Sequence, residues 1–540
     1  MNPFVRILLV AGALLLAAQG ACAQAPRVNG VVWTPPAYPQ AVADLQRMHA
    51  MGVNAVRVPV IDDERLLTAA DTLDIQLYQE LSTAFLSAPA LNDTVAAARR
   101  ELQQVLRQAA AHPSVRHVGL ARHVDTSDPA ACAYFDRLAA QIPSPSPIHT
   151  YYVTPFVETD RCASSVDAVL IDARGTADPH ALLARWMAAH RDAARVGLGA
   201  LGTWVAPDGP PGLKHAHSPE RQARYLEEHL QHAPLDSVSV RFVYRWRDAR
   251  TDPYGRAFGL LTEDGALRPA AQVVRGIYTG RQRIFAFPAG STPPVSFPWH
   301  MVVGWSVVAL IGLIYAREPL FRQTIIRYFW THTFYHEVVQ EGRDTLAGSS
   351  LALVTGAAVS LGLLGFATAA QIRYAPEVVH ALRALPAPLR ETVAFGLDAP
   401  WTMGILVAAG YALLLLVWTL GLVAIVRKKD GLTPEQALML VAWPHWPLLV
   451  LMAGPLVAST LAPPAALAVL ASMAGACALL VLWITGRVLA DYKAVTQLPG
   501  AWIALGALLS PVVPVLLAAL VPLLRYDVPL RLIGHLLTRS

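Results

Sequence analysis

Charge is what this chain of 540 residues most lacks: Asp, Glu, Lys and Arg together make up only 15%. Soluble domains carry about 25%. The shortfall accompanies a hydrophobic fraction of 54% and a mean hydropathy of +0.40, so part of the chain belongs in lipid. Neither sign of charge dominates. The formal net charge is +5, and much of it comes from loops that orient membrane helices, which argues against nucleic acid as a partner. Cysteine is scarce, with four residues. There is no CxxC pair, no HExxH and no phosphate-cradling glycine loop. Zinc and nucleotide-phosphate chemistry therefore lack their usual carriers, and no metal or cofactor is expected.

What is present begins with "MNPFVRILLVAGALLLAAQGACAQ". One Arg, an apolar run and Ala21-Cys22-Ala23 make a signal peptide over 1–23 with an A-x-A cleavage site. A lipid anchor at Cys22 is the alternative, although Gln19 stands where such signals carry an aliphatic residue. Export leaves Cys132 and Cys162 where a disulfide is permitted. Their spacing neither demands nor excludes one.

From Val28 to Tyr244 apolar strands alternate with amphipathic helices. The expected strands are Val28–Trp33, Ala55–Val58, Ile75–Tyr78, Val115–Ala121, His149–Val153, Ala168–Asp172, Val196–Leu201 and Val238–Tyr244. The alternation predicts a parallel sheet with crossover helices. Eight units within residues 24–284 fit the roughly 250 residues of a (β/α)8 TIM barrel. A doubly wound open sheet is the competing fold. The fold class is thus α/β, followed by an all-α polytopic membrane domain.

A Pro/Gly/Ser linker, 285–298, separates the halves. The first transmembrane helix follows over 299–316, then an amphipathic cytoplasmic segment over 317–350. A five-helix domain over 351–526 and a C-terminal tail over 527–540 complete the chain. The spans are Trp299–Tyr315, Leu351–Ile372, Met403–Ile425, Ala437–Leu461, Ala465–Ile484 and Ala501–Leu524. Arg317, Arg322, Arg327 and Arg343 follow the first span, Arg427, Lys428 and Lys429 the third, and Arg487 and Lys493 the fifth. Alternate crossings put all of these on one side, the cytoplasmic one, and the barrel on the other. Arg373, Arg383 and Arg390, on the far side, run against that rule. The expected location is a bacterial-type cytoplasmic membrane.

Several stretches in order carry a resemblance: "GVNAVRV" (52–58), "AAHPSVRHVGLARHVD" (110–125), "GLGALGTW" (197–204), "HSPERQARYLEEHL" (217–230) and "YGRAFGLLTEDGALRPAAQVVRGIY" (254–278). Together they resemble the catalytic barrel of retaining glycoside hydrolases of the β-galactosidase and β-glucuronidase type, family 2. The resemblance implies two glutamates, an acid/base ending the fourth strand and a nucleophile ending the seventh. Matching "HPSV" of 112–115 places Arg122 at the Asn preceding the acid/base and His123 at the acid/base itself. "GLGALGT" places Ala200 at the nucleophile. Both carboxylates are missing, and an alanine cannot attack an anomeric carbon. A one-residue slip brings only Gly199 or Leu201.

The leading expectation is therefore a degenerate, inactive barrel that binds or senses a glycan or an envelope protein. Arg57, Tyr152, Trp204, Trp246 and Asp248 are the candidate ligand-binding residues, because aromatic faces stack on sugars and guanidinium forks bind hydroxyls or carboxylates. Tyr151 is a further aromatic on the same strand as Tyr152. The alternative is an active glycosidase with relocated carboxylates, for which Asp125 and Asp172 are the backup candidates, with Glu158 behind them. His215 and His217 lack partners at metal spacing. In the second half "FYHEVVQEGRDTLAGSS" (334–350) resembles the start of the Yip1-type multi-pass membrane domain, which implies trafficking, shaping or scaffolding rather than catalysis. His332 and His336, at i and i+4, read as an interfacial aromatic cluster. His445, between Pro444 and Pro447, is an ionisable residue deep in a span and motivates a third reading, a transporter or channel with a substrate-capturing barrel.

Overall fold

The eight expected strands form, and they close into one parallel barrel in chain order, with the last pairing back onto the first. They are β1 (Val28–Val32), β2 (Ala55–Pro59), β3 (Gln76–Glu80), β4 (Val115–Arg122), β5 (His149–Thr154), β6 (Ala168–Arg174), β7 (Arg195–Gly202) and β8 (Val240–Val243). Closure excludes the doubly wound sheet. This computed structural model describes residues 27–537, apart from 191–194, 207–208, 232–239, 249–256, 293–296, 331, 342–346, 374, 427–431, 462 and 527. The signal segment 1–23 with Cys22, Arg343 and the Arg427–Lys428–Lys429 cluster lie outside the described residues.

Local chemistry sets the helix boundaries. In Asp128-Pro129 and Asp178-Pro179 the aspartate caps the helix. Asp128 accepts the Ala130 N–H, and Asp178 those of His180 and Ala181. Proline follows at the first helical position, where an N–H would have no partner. Gly52, at φ +81°, follows the helix Gln40–Ala50 and supplies the left-handed residue at which such helices stop. Cys132, on the helix Pro129–Ala139, is joined to Cys162 beyond β5 by a disulfide.

Strand side chains alternate between two cores. Ala55, Tyr78, Tyr151, Val153, Leu170 and Phe242 fill the barrel interior. Val56, Leu77, Val118, Tyr152, Ile171 and Leu198 pack outward with the helices. His117 lies against the interior set, stacked on Tyr78 at 3.8 Å between ring centroids. Burial, helped by the neighbouring His149, pushes its pKa down to about 3, so the ring is neutral. On β7, Gly202 lies tight against the residue that follows β8: a Cβ there would stand 2.4 Å from the Tyr244 carbonyl oxygen.

The chain divides into two compact units, residues 1–293 with 529–540, and residues 294–528. In the second unit five helices are long and apolar enough to cross a membrane: Trp299–Arg317, Ala347–Ile372, Pro400–Ile425, Pro434–Ala458 and Ala465–Thr496. A sixth candidate is the pair Gly500–Leu508 and Val512–Arg525, bent by 55°. The amphipathic segment forms the helices Pro319–Trp330 and His332–Glu341. Phe321, Tyr328, Tyr335, Trp418, Trp443 and Tyr492 are buried in this unit's core. The tail forms the helix Leu530–Leu537, within the barrel's unit.

Candidate functional site

In a (β/α)8 barrel the functional end is the one to which the strands deliver their C-termini. At that end β4 delivers Arg122 and then His123, β6 delivers Asp172 and Arg174, and β7 delivers Ala200. Asp172 and Ala200 are register partners across β6 and β7, so a carboxylate stands beside the alanine, one strand away. It is already engaged. His123 Nε2 lies 2.5 Å from Asp172 Oδ2, and Arg174 Nε donates to both Asp172 oxygens at 2.8 and 2.9 Å. Arg174 also sits 4.4 Å above the Tyr244 ring and 3.2 Å from His123 Nε2. All four residues are buried. Burial by itself would lower the Arg174 pKa, but the Asp172 charge more than offsets it and holds the guanidinium above its ordinary value. His123 and Asp172 offer two metal-ligating atoms, yet the fixed Arg174 charge in contact with both opposes a cation.

Ala200 is fully buried and packs with Tyr244 and Phe258. His123, at φ +54°, is stacked on Phe85 at 4.7 Å. Its backbone N–H donates to the Val153 carbonyl at 2.8 Å, which ties the end of β4 to β5.

The other carboxylates here are committed as well. Glu80, ending β3, pairs with Arg57 at 3.0 Å and with Arg122 at 3.6 Å. Asp125 accepts the Ser127 hydroxyl at 2.5 Å and lies 2.7 Å from His535 Nδ1 of the tail helix. Asp248 pairs with Arg268 at 2.5 Å and accepts the Gly259 N–H at 2.7 Å. Glu158 is exposed, 3.7 Å from Arg185.

The candidate ligand-binding residues do not gather in one place. Arg57 is buried within the barrel and also donates to the Gly199 carbonyl. Tyr152 faces outward: its hydroxyl donates to Asp160 at 2.8 and 2.7 Å and its ring stacks on Phe135. Trp246 is fully buried in the outer core. Trp204 remains partly exposed past β7, stacked on His217 at 3.6 Å. Arg122 is the most exposed of the charged residues that end these strands, at 39% of its side chain. His215 is buried, 3.5 Å from Ser291 Oγ.

Three participants escaped sequence reasoning. Glu80 was legible as the acidic end of "IQLYQE", and Arg174 as the basic residue two past Asp172, on the same strand face. His535 carried no signal beyond the apolar spacing of its helix.

In the second unit His445 is satisfied. Its Nδ1 donates to the Val441 carbonyl at 2.5 Å and its Nε2 accepts from the Tyr411 hydroxyl at 2.9 Å. His336 Nε2 lies 3.2 Å from buried Asp491, which also accepts from the Tyr328 hydroxyl at 3.2 Å.

No family model matches the sequence, and no curated protein matches it. Solved structures do. A GH2 β-galacturonidase from Eisenbergiella tayi, bound to galacturonate, is 16% identical over 48% of this chain and 52% of that one, with a TM-score of 0.44. A β-glucuronidase from an uncultured Clostridium species is 17% identical over 46% and 50%, with a TM-score of 0.41. A β-glucuronidase from Ruminococcus gnavus, in complex with D-glucaro 1,5-lactone, is 16% identical over 47% and 49%, with a TM-score of 0.42. The chain spans about half the length of these structures. The barrel assignment rests on the strand pairing itself.

Proposed function

We propose that this is a membrane-anchored, catalytically inactive glycosidase-like barrel that binds a glycan or a partner protein at the cell envelope. The observation that carries the reading is the state of the two positions matching the family's glutamates. His123 is locked to Asp172 and Arg174, and Ala200 is sealed under Tyr244 and Phe258. Retaining hydrolysis needs two carboxyl groups about 5–5.5 Å apart, one of them free to attack and the other free to donate a proton. Asp172, Glu80 and Asp248 instead neutralise arginines, and Asp125 is held by Ser127 and His535. What stays accessible is binding chemistry: the Arg122 guanidinium and the partly exposed Trp204 ring.

The membrane-length helices support anchoring, with the barrel on the extracytoplasmic side of a cytoplasmic membrane and a Yip1-like scaffold as the anchor. The buried His123–Asp172 hydrogen bond favours a second reading, a hydrolase with relocated acid/base groups. Both are tested on the full-length protein in detergent, using a panel of aryl glycosides and a glycan array. The expected result is no turnover, with glycan binding weakened by Arg122→Ala and Trp204→Ala. Turnover that is abolished by Asp172→Asn or Asp125→Asn overturns the proposal.

A further inference from the structure

The second unit contains a crevice of about 180 Å³ that the reading above does not use. Six apolar residues line it: Leu363, Phe366, Ala367, Ala370, Pro455 and Leu456. Its polar lining consists of His300, Gln371 and Ser459. These sit at matching ends of three candidate spans. His300 is the second residue of Trp299–Arg317, Gln371 the last but one of Ala347–Ile372, and Ser459 directly follows Pro434–Ala458. Since successive spans alternate in direction, the three polar residues lie at one membrane face, the face at which the linker enters the first span. Leu363 is eight residues back from Gln371 along the helix, which is about 12 Å at 1.5 Å per residue. That is most of one leaflet of a hydrocarbon core about 30 Å thick.

Water is a poor occupant of the deeper part, around Leu363, Phe366 and Ala367, because a buried water needs two to four polar partners. Ser459 Oγ already donates to the Leu456 carbonyl at 2.7 Å. His300 points the other way. Its ring stacks on Phe366 at 5.3 Å, and its Nε2 is enclosed without a hydrogen-bond partner among the described residues. An unsatisfied polar atom at the border of hydrocarbon is costly, so the site calls for an occupant that is polar at this end and apolar below it. The crevice is also continuous in sequence with lipid-facing surface, since Trp299, Val302 and Leu461 are exposed at the same helix ends.

We infer that this crevice binds one acyl chain of a membrane phospholipid, drawn from the leaflet on the linker side, with its phosphate head hydrogen-bonded by His300. The imidazole donates from Nε2 to a phosphate oxygen, and the chain descends past Phe366 and Ala367 to Leu363. The inference is independent of what the barrel binds.

The test is photolabelling of the full-length protein in nanodiscs that contain phosphatidylglycerol with a diazirine on one acyl chain, mapped by peptide mass spectrometry. Labelling of 363–371 and 455–459 should exceed severalfold that of 413–420, whose Leu413, Leu416, Val417 and Leu420 are exposed. Ala370→Phe, which fills the crevice from a partly exposed position, should remove that excess and leave 413–420 unchanged. His300→Leu should keep the crevice apolar but reduce its labelling severalfold. Equal labelling of the crevice and 413–420, or an excess that survives Ala370→Phe, overturns the proposal. Labelling unaffected by His300→Leu overturns the phosphate contact.

Discussion

His112 ends the long helix Ala88–Ala111 just before β4, and its imidazole is gripped from both sides. Nδ1 is 2.6 Å from Asp71 and Nε2 is 2.7 Å from Glu64, both on the helix Glu64–Thr72. The His112 side chain is 8% exposed, Asp71 21% and Glu64 73%. Burial alone would lower the His112 pKa, but the two carboxylates outweigh it and the net shift is upward. For Asp71 burial would raise the pKa, and the hydrogen bonds from Ser114 and His112 bring it down instead. The raised histidine stabilises the fold fully below its unfolded value, about 6.5, and that contribution is lost as pH rises through the higher folded value. The lowered aspartate contributes fully above about 3.9 and is lost as pH falls. The clamp is therefore strongest between about pH 4 and 6.5.

The size of the effect follows from exposure. A buried hydrogen bond to a charged group is worth about 1.5–3 kcal/mol. The mostly solvated Glu64 contact adds less than about 1 kcal/mol. His112→Gln, which keeps a donor but cannot ionise, should cost about 2 kcal/mol at pH 5.5 and much less at pH 8.5. Hydrogen exchange of the full-length protein, read by mass spectrometry on peptides covering 64–75 and 110–116, measures this directly. After correction for intrinsic exchange rates, wild type should be about thirtyfold better protected than the variant at pH 5.5, and the gap should narrow by pH 8.5. An equal loss of protection at both pH values would refute the ionic clamp and leave only packing.

Three further outcomes follow from the geometry. Ala200→Glu should give no glycosidase activity and should lower the barrel's stability by about 3 kcal/mol or more, because it buries a second carboxylate beside Asp172; thermal unfolding with an aryl glycoside assay checks both. Gly202→Ala should destabilise by about 1–3 kcal/mol in urea unfolding, since the Tyr244 carbonyl it would strike is backbone and cannot turn aside. Cys132→Ser should abolish the mobility difference between reduced and oxidised protein on gels, and should lower the denaturation midpoint by an amount equivalent to about 2–4 kcal/mol.

The barrel was legible because each strand is a short apolar run with helix-forming residues between, and neighbouring units repeat that pattern around the ring. Strand order then required no choice. Which face each residue takes was not legible. Tyr151 and Tyr152 are adjacent, yet Tyr151 belongs to the barrel interior and Tyr152 to the helix-facing layer. On a strand buried on both sides, no polar alternation marks which is which. Trp246 shows the same limit, since a tryptophan beyond β8 suits a binding opening or a core equally well. The charge pairs were hidden for a different reason: Arg57 of β2 meets Glu80 of β3, and His123 after β4 meets Asp172 and Arg174 of β6, only once those strands are assembled side by side. His123 and Ala200 could be singled out early because that reading depends on local motif position alone.

The short tail helix has a consequence for the chain's path. Leu530–Leu537 belongs to the barrel's compact unit, with His535 on Asp125, although residues 294–528 intervene. Five helices of the intervening unit are long and apolar enough to cross a membrane, and Gly500–Leu508 with Val512–Arg525 is a bent sixth candidate. The His535–Asp125 contact thus ties residues 530–537 to the unit formed by residues 1–293, across 235 residues that fold separately.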